Sequence, residues 1–155
     1  MTFQIEALPQ TTFQDLFEMG DAERAARNAQ LIWVAEVHSA PCRISLEDAV
    51  PGEEIILAPY EHLPFRSPFR ASGPIFVRKG IARAEPAPGE VPDALRRRLI
   101  SLRAYDRNNE MILAEVVEGT ALEVLIERFF AERETDYLHA HYARRGCYAA
   151  RIVKA

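Results

Sequence analysis

The chain has 155 residues and a formal net charge of −4 at pH 7, with 17 Arg but only 2 Lys. This length suits one domain over 1–155. The composition, 48% hydrophobic and 27% charged, is typical of a globular protein, and no apolar run reaches the ~20 residues that a membrane span needs. The acidic balance argues against a general nucleic-acid binder.

The N-terminal half predicts short helices and strands. Thr12, with Asp15 as capping partner, starts a helix that ends near Gly20. Further helices are expected over 21–29 and, as a single turn, 45–48. Strands are expected over 31–37, where the apolar run around Trp33 predicts burial, and over 54–58 and 73–77, the last at a sheet edge because of Pro74.

The C-terminal half gives clearer signals. Residues 99–105 alternate as a strand does, and turn residues 106–110 connect them to a second strand over 111–117. Thr120 and Glu123 predict a capping box for a helix with one apolar face. That face consists of Leu122, Leu125, Ile126, Phe129 and Phe130. Strands over 137–141 and 147–153 follow.

Proline and glycine in 84–92 predict a surface loop. Helices interspersed with hairpin-linked strands predict an α+β fold. We expect one mixed or mainly antiparallel sheet with two to four helices packed on it.

Charge is unevenly distributed along the chain. Residues 1–62 have a net charge of −8, residues 63–109 of +6, and residues 110–155 of −2. Either the acidic and basic segments pair across the folded surface, or some of the arginines line an anion site. A third alternative is a non-catalytic interaction module, in which the basic middle segment binds an acidic partner or the acidic N-terminal segment of a second copy in a homodimer.

Two histidines and a cysteine form the first candidate site. His139 and His141 share one strand face with Tyr137. No third ligand follows at a metal-site spacing, so we expect structural histidines and neither a metal nor another cofactor. Cys147 lies across a turn, where His139 or His141 would act as base for a catalytic thiol. A buried, inert Cys147 is the alternative.

Polar residues on rigid turns form the second candidate site. Ser67 and Arg70 lie between prolines in the segment 67–74, and Arg43 follows Pro41 and Cys42. Arg103 lies on a strand face, where either an anion or a glutamate across the hairpin would be its partner. We therefore expect Arg43, Ser67, Arg70, Arg103 and His139 to bind a ligand.

Four blocks of the chain together resemble a bacterial family, domain of unknown function 1203. They are Pro41–Leu46, Ser67–Phe76, Leu102–Asp106 and His141–Arg151. The last block departs from the family pattern, which has Asn where this chain has Tyr142. The resemblance spans essentially the whole chain and implies one soluble domain, with no catalytic residue to transfer.

The leading functional hypothesis is a small anionic-metabolite-binding protein with an arginine-lined pocket. The alternatives are the Cys147–histidine enzyme and the homodimer module. The absence of a signal sequence and the two widely separated cysteines predict a cytoplasmic protein. We expect no nucleic-acid partner and no membrane association.

Overall fold

The computed structural model describes residues 2–155, which form two packed antiparallel sheets and several short helices. The strands are β1 (Phe3–Glu6), β2 (Gln30–Trp33), β3 (Glu54–Leu63), β4 (Ala71–Arg78), β5 (Leu99–Tyr105), β6 (Met111–Glu118), β7 (Tyr137–Tyr142) and β8 (Tyr148–Lys154). The helices are α1 (Gln14–Glu18), α2 (Asp21–Ala26), α3 (Asp93–Arg96) and α4 (Leu122–Ala131). None of the helices in this part of the chain is long and apolar enough to cross a membrane.

The strand order divides the protein into a large and a small sheet. The large sheet has the order β1-β8-β7-β5-β6, and the small sheet has the order β2-β3-β4. All strand pairs within these sheets are antiparallel. The α+β class and the antiparallel pairing are therefore confirmed, but the expectation of one sheet is wrong, because residues 30–78 form a sheet of their own.

One face of the large sheet and α4 form the main core. The five apolar residues predicted for the helix face are all buried, against Leu102, Leu138 and Ile152. The capping box is not formed, since no side chain caps α4 and Glu123 instead pairs with Arg96. Tertiary packing therefore holds this helix without the predicted cap.

The opposite face of the large sheet packs on the small sheet through aromatic side chains. The ring centroid of Tyr60 on β3 lies 5.6 Å from that of Tyr148 on β8. The ring of His62, also on β3, lies 4.9 Å from the ring of His141 on β7. The two sheets thus share an interface built from tyrosine and histidine.

The N-terminal half departs most from the sequence expectations. Trp33 is 70% exposed rather than buried, because β2 ends there and is an edge strand. Residues 45–48 form a turn rather than a helix, with Leu46 at a φ of 53° between the bridged residues Pro41 and Asp48. Thr12 lies in a 3-10 turn and caps nothing.

The acidic N-terminal segment pairs with the basic middle segment. Arg98 binds Asp48 at 2.5 Å, and Arg78 binds Glu53 at 2.7 Å. Arg70 contacts Glu61 at 3.2 Å. The expectation that these charges pair across the surface is confirmed, and the opposite charges of the two segments are partly neutralised within the chain.

Gly119 is required by the close approach of α3. A Cβ at this position would lie 2.0 Å from the carbonyl oxygen of Leu95 and 2.6 Å from that of Arg96. We expect Gly119→Ala to lower the free energy of unfolding by at least about 2 kcal/mol, because backbone must move to admit the methyl group. Urea denaturation measures this.

Gly20→Ala is the control, because a Cβ at Gly20 has no neighbour within 4 Å. Its cost should stay within about 1 kcal/mol, since Gly20 is the N-cap of α2 and has a negative φ. If the free energy of unfolding falls equally in the two variants, the contact with α3 does not explain why position 119 needs glycine.

Candidate functional site

The structure places the seven predicted site residues in three separate regions. Ser67 and Arg70 lie in and at the end of the loop between β3 and β4, and Arg43 and Cys147 line a cleft. Arg103, His139 and His141 lie on the face of the large sheet that meets the small sheet. The residues that the sequence predicts to bind one ligand therefore do not lie in one pocket.

Ser67 and Arg70 both make contacts within the chain. The hydroxyl of Ser67 donates to the carbonyl of Asn109 at 2.7 Å and accepts from the amide of Phe69 at 3.1 Å. Both Nε and Nη2 of Arg70 donate to the carboxylate of Glu61 at 3.2 Å. These contacts order the loop, and neither residue reaches the cleft or the histidines.

A cleft with a volume of about 470 Å³ lies at the β7–β8 turn. We call it the arginine cleft, because five guanidinium groups line it. They belong to Arg43, Arg97, Arg98, Arg144 and Arg145. Tyr142, Cys147, His38 and Glu118 are among the other residues that line it, and Glu118 is the one carboxylate in that lining.

Arg43 forms the base of the arginine cleft and is only 2% exposed. Its Nε donates to the carbonyl of Tyr148 at 2.7 Å, and its Nη1 donates to the carbonyl of Pro41 at 2.5 Å. The guanidinium lies over the ring of Tyr142 at 4.8 Å. Burial lowers the pKa of Arg43, and the nearby Tyr142 offsets part of this effect.

No carboxylate within residues 2–155 lies within 4 Å of the guanidinium of Arg43. A buried charge is costly unless it is paired. The two carbonyls and the tyrosine ring offset part of the free-energy cost of burying the charge of Arg43. An anion in the cleft would supply the missing negative charge.

Arg97 and Arg98 approach the cleft from the end of α3, together with Asp48. Arg98 also lies over the ring of Tyr142, at 5.3 Å, so this ring contacts two guanidinium groups. Arg97 lies 3.7 Å from Asp48 and 3.0 Å from Asp93. The sequence does not display this arrangement, since the approach of Asp48 to Arg97 and Arg98 depends on the fold.

Arg144 and Arg145 lie in the β7–β8 turn and are exposed. Gly146 closes this turn with a φ of 79°, and its amide donates to the carbonyl of Tyr142 at 2.8 Å. Neither arginine has a carboxylate within 4 Å among the described residues. They are therefore free to contact a ligand.

Three histidines from two sheets meet next to Arg103. The histidine cluster consists of His62, His139 and His141, with ring centroids 4.9 to 6.3 Å apart. Arg103 is directly opposite His139 in the β5–β7 register and donates to Ser101 at 3.2 Å. His62 was missed in the sequence, because nothing in its own segment shows that β3 faces β7.

The histidine cluster consists of neutral imidazoles. Burial lowers the pKa of His139 to about 2, and the neighbouring histidines and arginines add to this effect. Burial likewise lowers the pKa of His141 to about 3. Since the carbonyl of Gly146 accepts from His141 Nδ1 at 2.9 Å, the proton of His141 is on Nδ1.

Three buried nitrogens of the cluster have no hydrogen-bond partner among the described residues. They are Nδ1 of His62, Nδ1 of His139 and Nε2 of His141. Even so, no three His, Cys, Asp or Glu side chains in 2–155 are arranged to hold a metal ion. The cluster is thus a set of unsatisfied polar groups without converging metal ligands.

Cys147 and the histidines do not form a hydrogen-bonded pair in residues 2–155. The thiol of Cys147 has its nearest polar contact, at 4.0 Å, with the carbonyl of Arg145. His141 uses Nδ1 for Gly146, and Nδ1 of His139 is unpartnered. Cys147 and Cys42 are both free thiols. Cys147 therefore lines the arginine cleft without a hydrogen bond to His139 or His141.

A protein-family model matches most of the chain. The family described as "Protein of unknown function (DUF1203)" matches residues 39–154. This range contains every predicted site residue but begins after α2, so the resemblance does not extend to the N-terminal helices. No curated protein and no solved structure matches the chain.

The neutral histidines predict a loss of stability in mild acid. Folding lowers the pKa of His139 and His141 from 6.5 to about 2 and about 3. Below pH 6.5 the unfolded chain therefore binds more protons than the folded protein does. The free energy of unfolding should fall by up to about 1.4 kcal/mol per pH unit for each histidine between pH 6.5 and 5.

Urea denaturation at pH 7, 6 and 5 measures this loss of stability. In the double variant His139→Gln, His141→Asn, the free energy of unfolding should depend less on pH. If that variant does not fold, the ring ¹⁵N shifts of the native protein decide the matter. Protonation of either ring with a midpoint near pH 6.5 would contradict the prediction.

Proposed function

The chain belongs to the DUF1203 family of proteins of unknown function, and we propose that it binds a small anionic molecule in the arginine cleft. The observation that carries this proposal is Arg43, a guanidinium that is 2% exposed, lines the cleft and has no carboxylate partner in residues 2–155. A bound anion is the simplest group that would compensate this charge.

The composition of the cleft favours an anion with more than one charge. Arg98 and Arg97 are neutralised in part by Asp48, whereas Arg43, Arg144 and Arg145 have no acidic partner among the described residues. Guanidinium groups bind carboxylate and phosphate through paired hydrogen bonds. We therefore expect a ligand with two or more carboxylate or phosphate groups.

The size of the cleft favours a small molecule. Its volume of about 470 Å³ lies in the usual range for ligand sites, about 300–1,000 Å³. The Tyr142 ring gives it one apolar wall, and the β7–β8 turn gives it a rim of donors. Nucleic acid is a less suitable partner, because the basic groups are concentrated in one cavity rather than along a surface.

An enzymatic role for Cys147 has less support. The thiol of Cys147 lines the same cleft as the arginines. However, a catalytic thiol also needs a base within hydrogen-bond reach, and His141 donates to Gly146 instead. The homodimer alternative has less support still, because much of the acidic segment is paired within the chain.

We expect citrate and inorganic phosphate to raise the melting temperature at low salt. A ligand at about ten times its Kd stabilises a protein of this size by about 1.4 kcal/mol, or about 3–6 °C. The double variant Arg144→Ala, Arg145→Ala should bind citrate at least about tenfold more weakly, since it loses charge-assisted hydrogen bonds. Thermal shift and calorimetric titration measure both effects.

Arg133→Ala is the matched control, because Arg133 is equally exposed but lies outside the cleft. It should leave the citrate affinity unchanged. Melting temperatures that stay flat with both probes would refute the proposal. Equal losses of affinity in the two variants would show nonspecific attraction by surface charge.

An anion in the cleft should also protect Cys147 from alkylation. Cys147 is half-buried and lines the cleft, whereas Cys42 is 1% exposed and lies in the core. Iodoacetamide should therefore modify Cys147 first, and citrate should slow this reaction several-fold. Mass spectrometry of timed samples gives both rates.

The alkylation rates of Cys147 also distinguish anion binding in the cleft from catalysis by the thiol. A rate at Cys147 that is unaffected by saturating citrate would place the anion elsewhere. A rate in the folded protein that exceeds the rate in urea would favour the catalytic thiol.

A further inference from the structure

A second cavity lies between the two sheets, next to the histidine cluster. This interface cavity has a volume of about 280 Å³ and shares no lining residue with the arginine cleft. Aromatic rings form much of its wall. They belong to Tyr60, His62, Phe65, Tyr137, His139 and Tyr148. A wall of this kind suits a flat apolar group that stacks on rings.

Two of the histidines that line this cavity each have an unpartnered ring nitrogen. The Nδ1 atoms of His62 and His139 are buried and have no hydrogen-bond partner among residues 2–155. His139 is 3% exposed and yet lines the cavity. An unsatisfied buried polar atom is costly, so a polar group of a ligand in the cavity would stabilise this arrangement.

The charges around His139 make this end of the cavity electropositive. Arg103 and Arg151 both contribute to the low pKa of His139, and Arg151 also lies 3.6 Å from Glu6. Arg83 also lines the cavity, where its Nε donates to the carbonyl of Ala7 at 2.9 Å. The electrostatic field around His139 therefore favours a negatively charged group.

The two carboxylates that line the cavity are both paired. Glu6 lies 3.6 Å from Arg151, and Glu61 is bound by Arg70. Their charges are thus partly neutralised at the mouth of the cavity and do not reverse the field at His139.

We propose that the interface cavity binds a planar aromatic carboxylate. Its ring would lie among the tyrosine and histidine rings, and its carboxylate would accept an N–H hydrogen bond from the imidazole of His139 or His62. A cation is disfavoured by Arg103 and Arg151, and the three imidazoles are not arranged as metal ligands. The size of the cavity admits one ring or a fused pair.

Benzoate, benzamide and cyclohexanecarboxylate are the probes that test this proposal. Benzamide keeps the ring and lacks the charge, whereas cyclohexanecarboxylate keeps the charge and lacks the flat ring. We expect benzoate to bind at least tenfold more tightly than either, by calorimetry or ligand-detected NMR. It should also shift the ring ¹⁵N signals of His62 and His139.

Two variants locate the binding site of benzoate. His62→Gln should weaken benzoate binding at least fivefold, because it removes a ring and a donor on the half-buried side of the cluster. Tyr60→Phe should retain binding, since the proposal uses the ring of Tyr60 and not its hydroxyl. The Arg144→Ala, Arg145→Ala protein shows whether benzoate has instead entered the arginine cleft.

Four results would overturn the proposal. They are no binding of benzoate, equal binding of the three probes, loss of benzoate affinity in the Arg144→Ala, Arg145→Ala protein, and stoichiometric binding of Zn²⁺ that His62→Gln abolishes. The last would show that the cluster is a metal site.

Discussion

The register of β7 between β5 and β8 is the constraint on which the rest of the structure depends. All six residues of β7 are buried, so both of its faces lie in the interior. Leu138 and Ala140 face α4, and His139 and His141 face the small sheet. A slip of one residue would exchange these sets and place two imidazoles in the apolar core. The same alternation that completes the core therefore fixes the position of the histidine cluster.

Local patterns predicted the C-terminal half well and the N-terminal half poorly, for a physical reason. The β5–β6 hairpin and the buried face of α4 follow from side-chain alternation and helical spacing, which are properties of each segment alone. The exposure of Trp33 depends on whether another strand covers β2, and the turn at 45–48 depends on bridges to Pro41. These are tertiary contacts, which a single sequence does not display. For the same reason, capping residues predicted at Thr12 and Thr120 make no cap.

The arginines of the chain fall into two groups, those that are paired with a carboxylate and those that are not. Arg70, Arg78 and Arg98 each meet a carboxylate of the acidic N-terminal segment, so their role is explained within the chain. Sequence reasoning placed Arg43 and Arg70 together, because each follows a proline by two residues on a predicted turn, whereas only Arg43 lines the cleft. The two arginines differ in their exposed fraction and in their hydrogen-bond partners. Arg43 is 2% exposed and donates only to backbone carbonyl oxygens. The number of arginines in a sequence is therefore a weak indicator of an anion site. A buried arginine without an acidic partner is a stronger one.

The β7–β8 turn is held from both sides by groups that belong to the two cavities. On one side Arg43 of the arginine cleft donates to the carbonyl of Tyr148, whose ring lines the interface cavity. On the other side His141 of the histidine cluster donates to the carbonyl of Gly146. Both bonds are to backbone, so they fix the path of the turn that presents Arg144 and Arg145. The rim of one cavity is thus positioned by a buried histidine that packs beside the other, and the polar side chains at the sheet interface have a structural role whether or not a ligand is bound.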